Sequence, residues 1–169
     1  MKKIATFLTL SAVLFSGCSF SDLFVDEVEV HNGLIQKMDG VLMGEENFYN
    51  EYWALTDDGD VAPFAEAYDE FETAVGELDE FYSSTKFSSG QQIFVDEYDE
   101  SYKGFIQEYL KEAGEFKDII EMDGYTFEAM EPYFAGLDKM TEDFVEVHNK
   151  LIDTINLQAD YTSTGMSTK

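Results

Sequence analysis

Residues 94–120, FVDEYDESYKGFIQEYLKEAGEFKDII, decide the fold class. Large apolar side chains recur here three, four or seven positions apart, which is the spacing of one face of an α-helix. A half-buried β-strand would instead alternate apolar and polar residues, and no sustained alternation of this kind occurs in the chain. The stretch therefore predicts one long amphipathic helix. Its predicted inward face contains Phe94, Tyr98, Tyr102, Phe105, Tyr109, Phe116 and Ile120.

Three further segments carry the same spacing, so four helices are predicted in an all-α chain. The first runs from about Leu23 to Leu55 with Ser21 or Asp22 as its cap, the second over about 62–83, and the last from 126–131 to about 160. Ser89 and Gln92 form a predicted capping box before the aromatic helix. The inward face of the first helix is predicted to contain Phe24, Val28, Ile35, Met38, Leu42, Tyr49 and Trp53. The second carries Phe64, Tyr68, Phe71, Val75, Leu78 and Phe81 or Tyr82, and the last carries Tyr133, Leu137, Met140, Phe144, Leu151 and Ile155.

Short connections between these helices favour an antiparallel up-down-up-down four-helix bundle. An antiparallel neighbour covers each apolar face with the shortest loop. We predict this bundle over residues 23–160, followed by a disordered polar tail over 161–169. In such a bundle the first helix begins and the last helix finishes at the same end.

The composition excludes one large class of partner. The chain has 36 Asp and Glu against 10 Lys and Arg, a net charge of -26, and all ten basic residues are lysines. Nucleic acids are bound mainly through Lys and Arg side chains that neutralise phosphates, so no nucleic-acid partner is expected. The acidic faces favour a basic or cationic partner instead. No catalytic or nucleotide-binding motif occurs, and we expect neither enzymatic activity nor a cofactor.

The first residues have the organisation of an export signal. Two lysines precede an apolar run of 12 residues, 4–15. This run is shorter than the ~20 residues of a membrane-spanning helix, but its length is typical of a secretory signal peptide. We therefore predict a signal peptide over residues 1–17. The next residue, Cys18, is the only cysteine of the chain, so a disulfide within the chain is excluded.

Small residues directly before this lone cysteine resemble the lipobox of bacterial lipoproteins, although Phe15 stands where leucine is usual. The resemblance implies cleavage before Cys18 and a palmitate-type lipid anchor on it, with residues 18–22 as a short tether. It also implies a location at the cell membrane or outer membrane, facing the periplasm or the exterior. Cleavage would leave 36 acidic residues and eight lysines, a charge of -28. Ordinary secretion, with Cys18 in the discarded peptide, is the alternative.

The segment from Val28 to Asn156 loosely resembles uncharacterised all-helical envelope lipoproteins, catalogued as domains of unknown function. The resemblance depends on Asn-x-Leu-Ile motifs near both ends and on Phe81 and Tyr82 before a long aromatic helix. It implies no functional residues.

Two nearly identical octapeptides contain the only two histidines. Residues 28–35, VEVHNGLI, recur as residues 145–152, VEVHNKLI. At 100° per residue His31 and His148 both fall on the predicted apolar faces, and at similar heights in an antiparallel bundle. A metal or haem site between the first and last helices is one interpretation, since imidazole binds Zn, Cu, Ni and Fe. The interpretation we favour is a polar core pair, satisfied by a tyrosine hydroxyl or by Asn32 and Asn149.

Together these observations predict a lipid-anchored, acidic protein of the cell envelope that acts as a non-catalytic binding or structural module. One alternative is a metal- or haem-binding bundle that uses His31 and His148. Another is a carrier of a small ligand or peptide with an aromatic pocket in its core. The residues predicted for that pocket are Tyr49, Trp53, Tyr98 and Tyr102.

Overall fold

The computed structural model describes residues 26–55, 60–122 and 125–165, and all regular structure in these ranges is helical. Helix α1 is Glu27–Ala54, α2 is Ala62–Ser84 and α4 is Phe127–Gly165. Helix α3 joins Gln92–Glu97, a π-helical turn at Tyr98–Tyr102, and Lys103–Ile120. The predicted all-α four-helix bundle is confirmed. Within the described ranges no helix combines the length and the hydropathy needed to cross a membrane.

Contacts between successive helices run in opposite order, so that early residues of one helix meet late residues of the next. Such pairs are the ones that antiparallel neighbours make. These pairs place the C-terminal ends of α1 and α3 and the starts of α2 and α4 at the same end of the bundle, which is called the distal end below. The pairs are Lys37–Glu77 and Asn47–Glu70 for α1 and α2, Phe64–Phe116 and Tyr98–Asp79 for α2 and α3, and Phe116–Phe134 and Glu97–Lys150 for α3 and α4.

Helix α1 begins later than predicted. The Asp26 carboxylate accepts hydrogen bonds from the backbone N–H groups of Val28 and Glu29, both at 3.1 Å, and so caps the helix. The cap is therefore Asp26 instead of the predicted Ser21 or Asp22, and the helix begins at Glu27 instead of near Leu23. The signal peptide predicted over 1–17, Cys18 and the tether predicted over 18–22 lie outside the described residues.

The start of α3 and the end of α4 also differ from the predictions. The capping interaction before α3 lies one residue earlier than predicted, because the backbone N–H of Ser88 donates to Gln91 Oε1 at 3.2 Å. The Ser88 hydroxyl donates instead to Glu27 Oε1 at 2.6 Å and so ties the start of α3 to the start of α1. Helix α4 continues to Gly165, so the tail predicted over 161–169 starts too early. Residues 166–169 lie outside the described ranges.

The buried face of α1 is rotated by one residue from the predicted face. Val28, Leu42 and Trp53 were predicted to point inward but are 69%, 40% and 63% exposed. The charged residue Glu45 lies in the middle of the true face, and apolar spacing alone assigns a glutamate to solvent. Two neighbouring rows of apolar residues on α1 therefore compete as the inward face, and the row that is buried has a charged residue in its middle. Its buried members are Leu34, Met38, Val41, Gly44, Glu45, Phe48 and Tyr52.

The π-helical turn in α3 follows from the spacing of its buried residues. Phe94, Tyr98, Tyr102 and Ile106 are four apart, which is more than the 3.6 residues of an α-helical turn. The wider π turn keeps these side chains on one face. The predicted aromatic face of α3 is confirmed, except that Ile106 is buried in place of Phe105.

Two glycines of α1 form a matched pair for testing the close contact between α1 and α2. A Cβ atom at Gly44 would lie 3.0 Å from the Phe71 Cα, whereas a Cβ atom at Gly40 would meet nothing within 4 Å. Alanine favours a helix over glycine by ~1 kcal/mol, so Gly40→Ala should raise the free energy of unfolding by up to that amount. Gly44→Ala should lower it by ~1–3 kcal/mol, because two helix backbones must move apart.

Urea unfolding followed by circular dichroism measures both changes. Equal effects of the two substitutions would contradict the close backbone approach at Gly44.

Candidate functional site

A cluster of polar side chains lies inside the aromatic core. Glu45 of α1 is 5% exposed and accepts a hydrogen bond from the Tyr109 hydroxyl of α3 at 2.9 Å. The same hydroxyl is 2.5 Å from Thr141 Oγ1 of α4. A buried polar atom without a partner is costly. These bonds therefore define the relative heights of three helices.

His148 forms a second polar contact two turns further along α4. It is 2% exposed, and its Nδ1 lies 3.0 Å from the Tyr102 hydroxyl of α3. Its ring packs on those of Tyr102 and Phe144, with centroid separations of 5.8 and 5.1 Å. A buried histidine satisfied by a tyrosine hydroxyl is the interpretation favoured from the sequence, and it describes His148.

His31 does not join His148. Glu45 of α1 and Thr141 of α4 lie at the same height in the bundle, because both contact the Tyr109 hydroxyl. Seven residues before Glu45 is Met38 and seven residues after Thr141 is His148, so Met38 and His148 also lie at the same height. His31 lies seven residues further, or about 10 Å along the axis, and it is only half-buried. The prediction that the two histidines have similar heights is therefore wrong. Among the residues described, no three His, Cys, Asp or Glu side chains are grouped so that they could hold a metal ion.

The two octapeptides nevertheless face the core in the same way. In each copy the leucine is buried, the first valine is exposed and the isoleucine is partly buried. The one position that differs has a structural reason. A Cβ atom at Gly33 would lie 2.8 Å from the Phe81 ring, so only glycine fits there without a shift. Its counterpart Lys150 is exposed and donates to Glu97 Oε1 at 2.6 Å.

Burial shifts the pKa values of Glu45 and His148. It raises the pKa of Glu45 to about 7, although the Tyr109 and Thr141 hydroxyls act in the opposite direction. Burial lowers the pKa of His148 to about 4, against the effect of the nearby Asp39 charge. His148 is therefore neutral at pH 7, whereas Glu45 is divided between its two forms. Neither group is open to a substrate, and the cluster is suited to joining helices.

The two groups should give the stability opposite dependences on pH. The contribution of Glu45 is complete below about pH 4.5 and is lost as the pH rises through about 7, because its pKa is raised by folding. The contribution of His148 is complete above about pH 6.5 and is lost as the pH falls through about 4, because its pKa is lowered. Each shift corresponds to at most roughly 3 kcal/mol.

Urea unfolding of Glu45→Gln and His148→Gln at several pH values between these limits tests the assignment. Relative to wild type, the stability of Glu45→Gln should rise with pH and that of His148→Gln should fall. The difference from wild type removes the common effect of the other acids. Curves parallel to wild type would show that the buried groups do not titrate differently on folding.

A second candidate site is an open pocket of about 290 Å³ at the distal end. Its aromatic rings contact one another, since Tyr52 lies 5.6 Å from Phe116 and 6.1 Å from Phe134 between ring centroids. Trp53 and Phe127 are 63% and 57% exposed at its rim. A concave, mostly apolar surface with few polar groups is typical of a ligand site. The lining residues are Tyr52, Trp53, Leu55, Phe116, Ile120, Tyr125, Phe127, Met130, Phe134 and Asp138.

Among the described residues, Asp138 is the only charged side chain that lines the pocket. Its Oδ1 is buried and has no hydrogen-bond partner among these residues. Burial, then the Asp138 charge and hydrogen bonding of the Tyr52 hydroxyl to the Asp138 carboxylate, raise the pKa of Tyr52 well above its usual range. The Tyr52 phenol is therefore a neutral group beside the carboxylate.

The pocket is not the one predicted from the sequence. Of the predicted lining residues only Trp53 lines it, whereas Tyr98 and Tyr102 are fully buried in the core. Tyr98 stacks on Tyr82 with ring centroids 3.8 Å apart. Aromatic residues at helix ends, such as Phe127, are the sequence signal for this pocket, and the periodic helix faces do not include them.

No family model, curated protein or solved structure matches the chain. The function of the protein is therefore inferred from the chain's own residues.

Proposed function

We propose that the protein is a lipid-anchored binding module of the cell envelope, without catalytic activity, that takes its ligand in the distal pocket. The observation that carries this proposal is the open aromatic pocket with one carboxylate in its wall. The resemblance of the N-terminal residues to a lipobox supports the anchor at Cys18.

The position of the pocket suits such a role. Helix α1 has 28 residues, or ~42 Å at 1.5 Å per residue, and the pocket lies at its C-terminal end. An anchor at Cys18, eight residues before Asp26, would hold the opposite end of α1 near the bilayer. The pocket would then face away from the membrane. The net charge of -26 favours an upright bundle, because an anionic leaflet repels the acidic helix faces.

The metal- or haem-binding alternative has less support. The Tyr102 hydroxyl is bonded to His148 Nδ1 at 3.0 Å, and His31 lies about 10 Å further along the axis.

Replacement of Cys18 tests the anchor. Cys18→Ser should abolish incorporation of labelled palmitate in bacterial cells and move the protein from the membrane fraction to the soluble fraction. The chain has a single cysteine, so no second thiol can accept the diacylglyceryl group. A Ser variant that stays palmitoylated and membrane-bound would exclude the proposed anchor.

Truncation of the pocket rim tests the ligand site. The uncharged probe phenethyl alcohol should shift the indole N–H signal of Trp53, the only tryptophan, in a proton–nitrogen correlation spectrum of the purified protein. Phe127→Ala should weaken this binding about tenfold, since a large buried contact with the probe is lost.

Ile93→Ala is the matched control, because Ile93 is 51% exposed and does not line the pocket. Equal affinities of Phe127→Ala and Ile93→Ala would place binding elsewhere.

A further inference from the structure

We propose that the distal pocket binds a small organic ammonium ion that carries at least one N–H group, with Asp138 as its counter-ion. The proposal rests on the binding role of the pocket and assigns its ligand class. The ligand combines a compact apolar body with one positive nitrogen.

The described part of the pocket wall holds the neutral Tyr52 phenol beside Asp138 but no cationic partner for its carboxylate. Asp138 Oδ1 is buried without a hydrogen-bond partner among the described residues, and the pocket lining contains no basic side chain. Two lysines of α4 are engaged elsewhere, Lys139 with Asp143 and Lys150 with Glu97. Buried carboxylates are normally hydrogen-bonded or paired with a cation. An ammonium N–H placed beside Asp138 supplies both interactions.

The rest of the lining suits the apolar part of the same ligand. Tyr52 and Trp53 have ring centroids 5.6 Å apart, and aromatic faces attract an ammonium ion as well as apolar groups. Phe127 lies 5.1 Å from Phe134 between ring centroids and extends this surface to the rim. Six of the ten lining residues are aromatic. An alkylamine or arylalkylamine matches this combination better than a sugar or a metal ion does.

The volume of the pocket and the net charge of the chain narrow the class of ligand further. Drug-sized ligands occupy pockets of roughly 300–1,000 Å³, and this pocket has about 290 Å³. A small amine is therefore favoured over a folded peptide segment. The net charge of -26 raises the local concentration of cations and opposes anions.

Four probes that share a phenyl ring on a two-carbon arm test the assignment in the wild-type protein without any substitution. They are phenethylamine, which is protonated at pH 7, the neutral phenethyl alcohol, the anionic phenylacetate and the quaternary trimethyl(phenethyl)ammonium. The Trp53 indole signal reports binding of each. Phenethylamine should bind at least about tenfold more tightly than the alcohol, because a charge-assisted hydrogen bond to Asp138 is added. Phenylacetate should bind most weakly, and the quaternary ion, which lacks an N–H group, should bind less tightly than the amine.

Two substitutions on α4 test whether Asp138 causes the preference for the amine over the alcohol. Asp138→Asn should weaken phenethylamine binding by about tenfold, so that the ratio of the amine and alcohol affinities falls to about one. Asp153→Asn is the matched control, because it removes the same charge from an exposed position of the same helix. It should leave all four affinities unchanged.

The outcomes separate this proposal from the proposed function. Equal binding of amine and alcohol, or an unchanged amine affinity in Asp138→Asn, would overturn the ammonium assignment while the pocket remains a binding site. Equal binding of the quaternary ion and the amine would overturn the N–H contact with Asp138. No binding of any probe would overturn the ligand site itself.

Discussion

A carboxylate buried among aromatic rings constrains this bundle more than any apolar contact does. Apolar surfaces can slide past one another at small cost, but Glu45 must keep a hydrogen-bond donor within reach. Tyr109 provides it and is itself bonded to Thr141. These bonds therefore fix the heights and rotations of helices α1, α3 and α4 relative to one another. Removal of the Tyr109 hydroxyl would take this partner from both Glu45 and Thr141.

The same constraint shapes the distal pocket. With Glu45 inward, Tyr52 lies on the buried face of α1 and the adjacent Trp53 turns outward to the rim. If α1 had the rotation predicted from its apolar residues, Trp53 would fill the core and Tyr52 would face solvent. The pocket therefore depends on a polar contact about two turns away. The pocket and the polar cluster are connected here through the rotation of one helix.

Much of the fold could be predicted, because helical spacing is a local property. The buried residues of α2 from Phe64 to Leu78 and the aromatic face of α3 agree with the pattern. The face of α1 was predicted one residue away from the true face, since two neighbouring apolar rows have helical spacing and the buried row is interrupted by Glu45, whose donor lies on another helix. The sequence equally does not show how far His31 lies from His148, because that distance depends on the register of α1 against α4. The pocket also depends on residues at helix ends, such as Leu55, Tyr125 and Phe127, that lie outside the periodic faces.

The single difference between the two octapeptides has a consequence for how the bundle assembles. Two segments with the same buried leucine and the same exposed valine could exchange places during folding, because their apolar faces alone do not distinguish them. Position 33 does distinguish them, since any side chain there requires the Phe81 ring to move. Its counterpart Lys150 has its own partner in Glu97. One glycine thus disfavours the packing of the α4 segment in the place of the α1 segment, within one chain or between two.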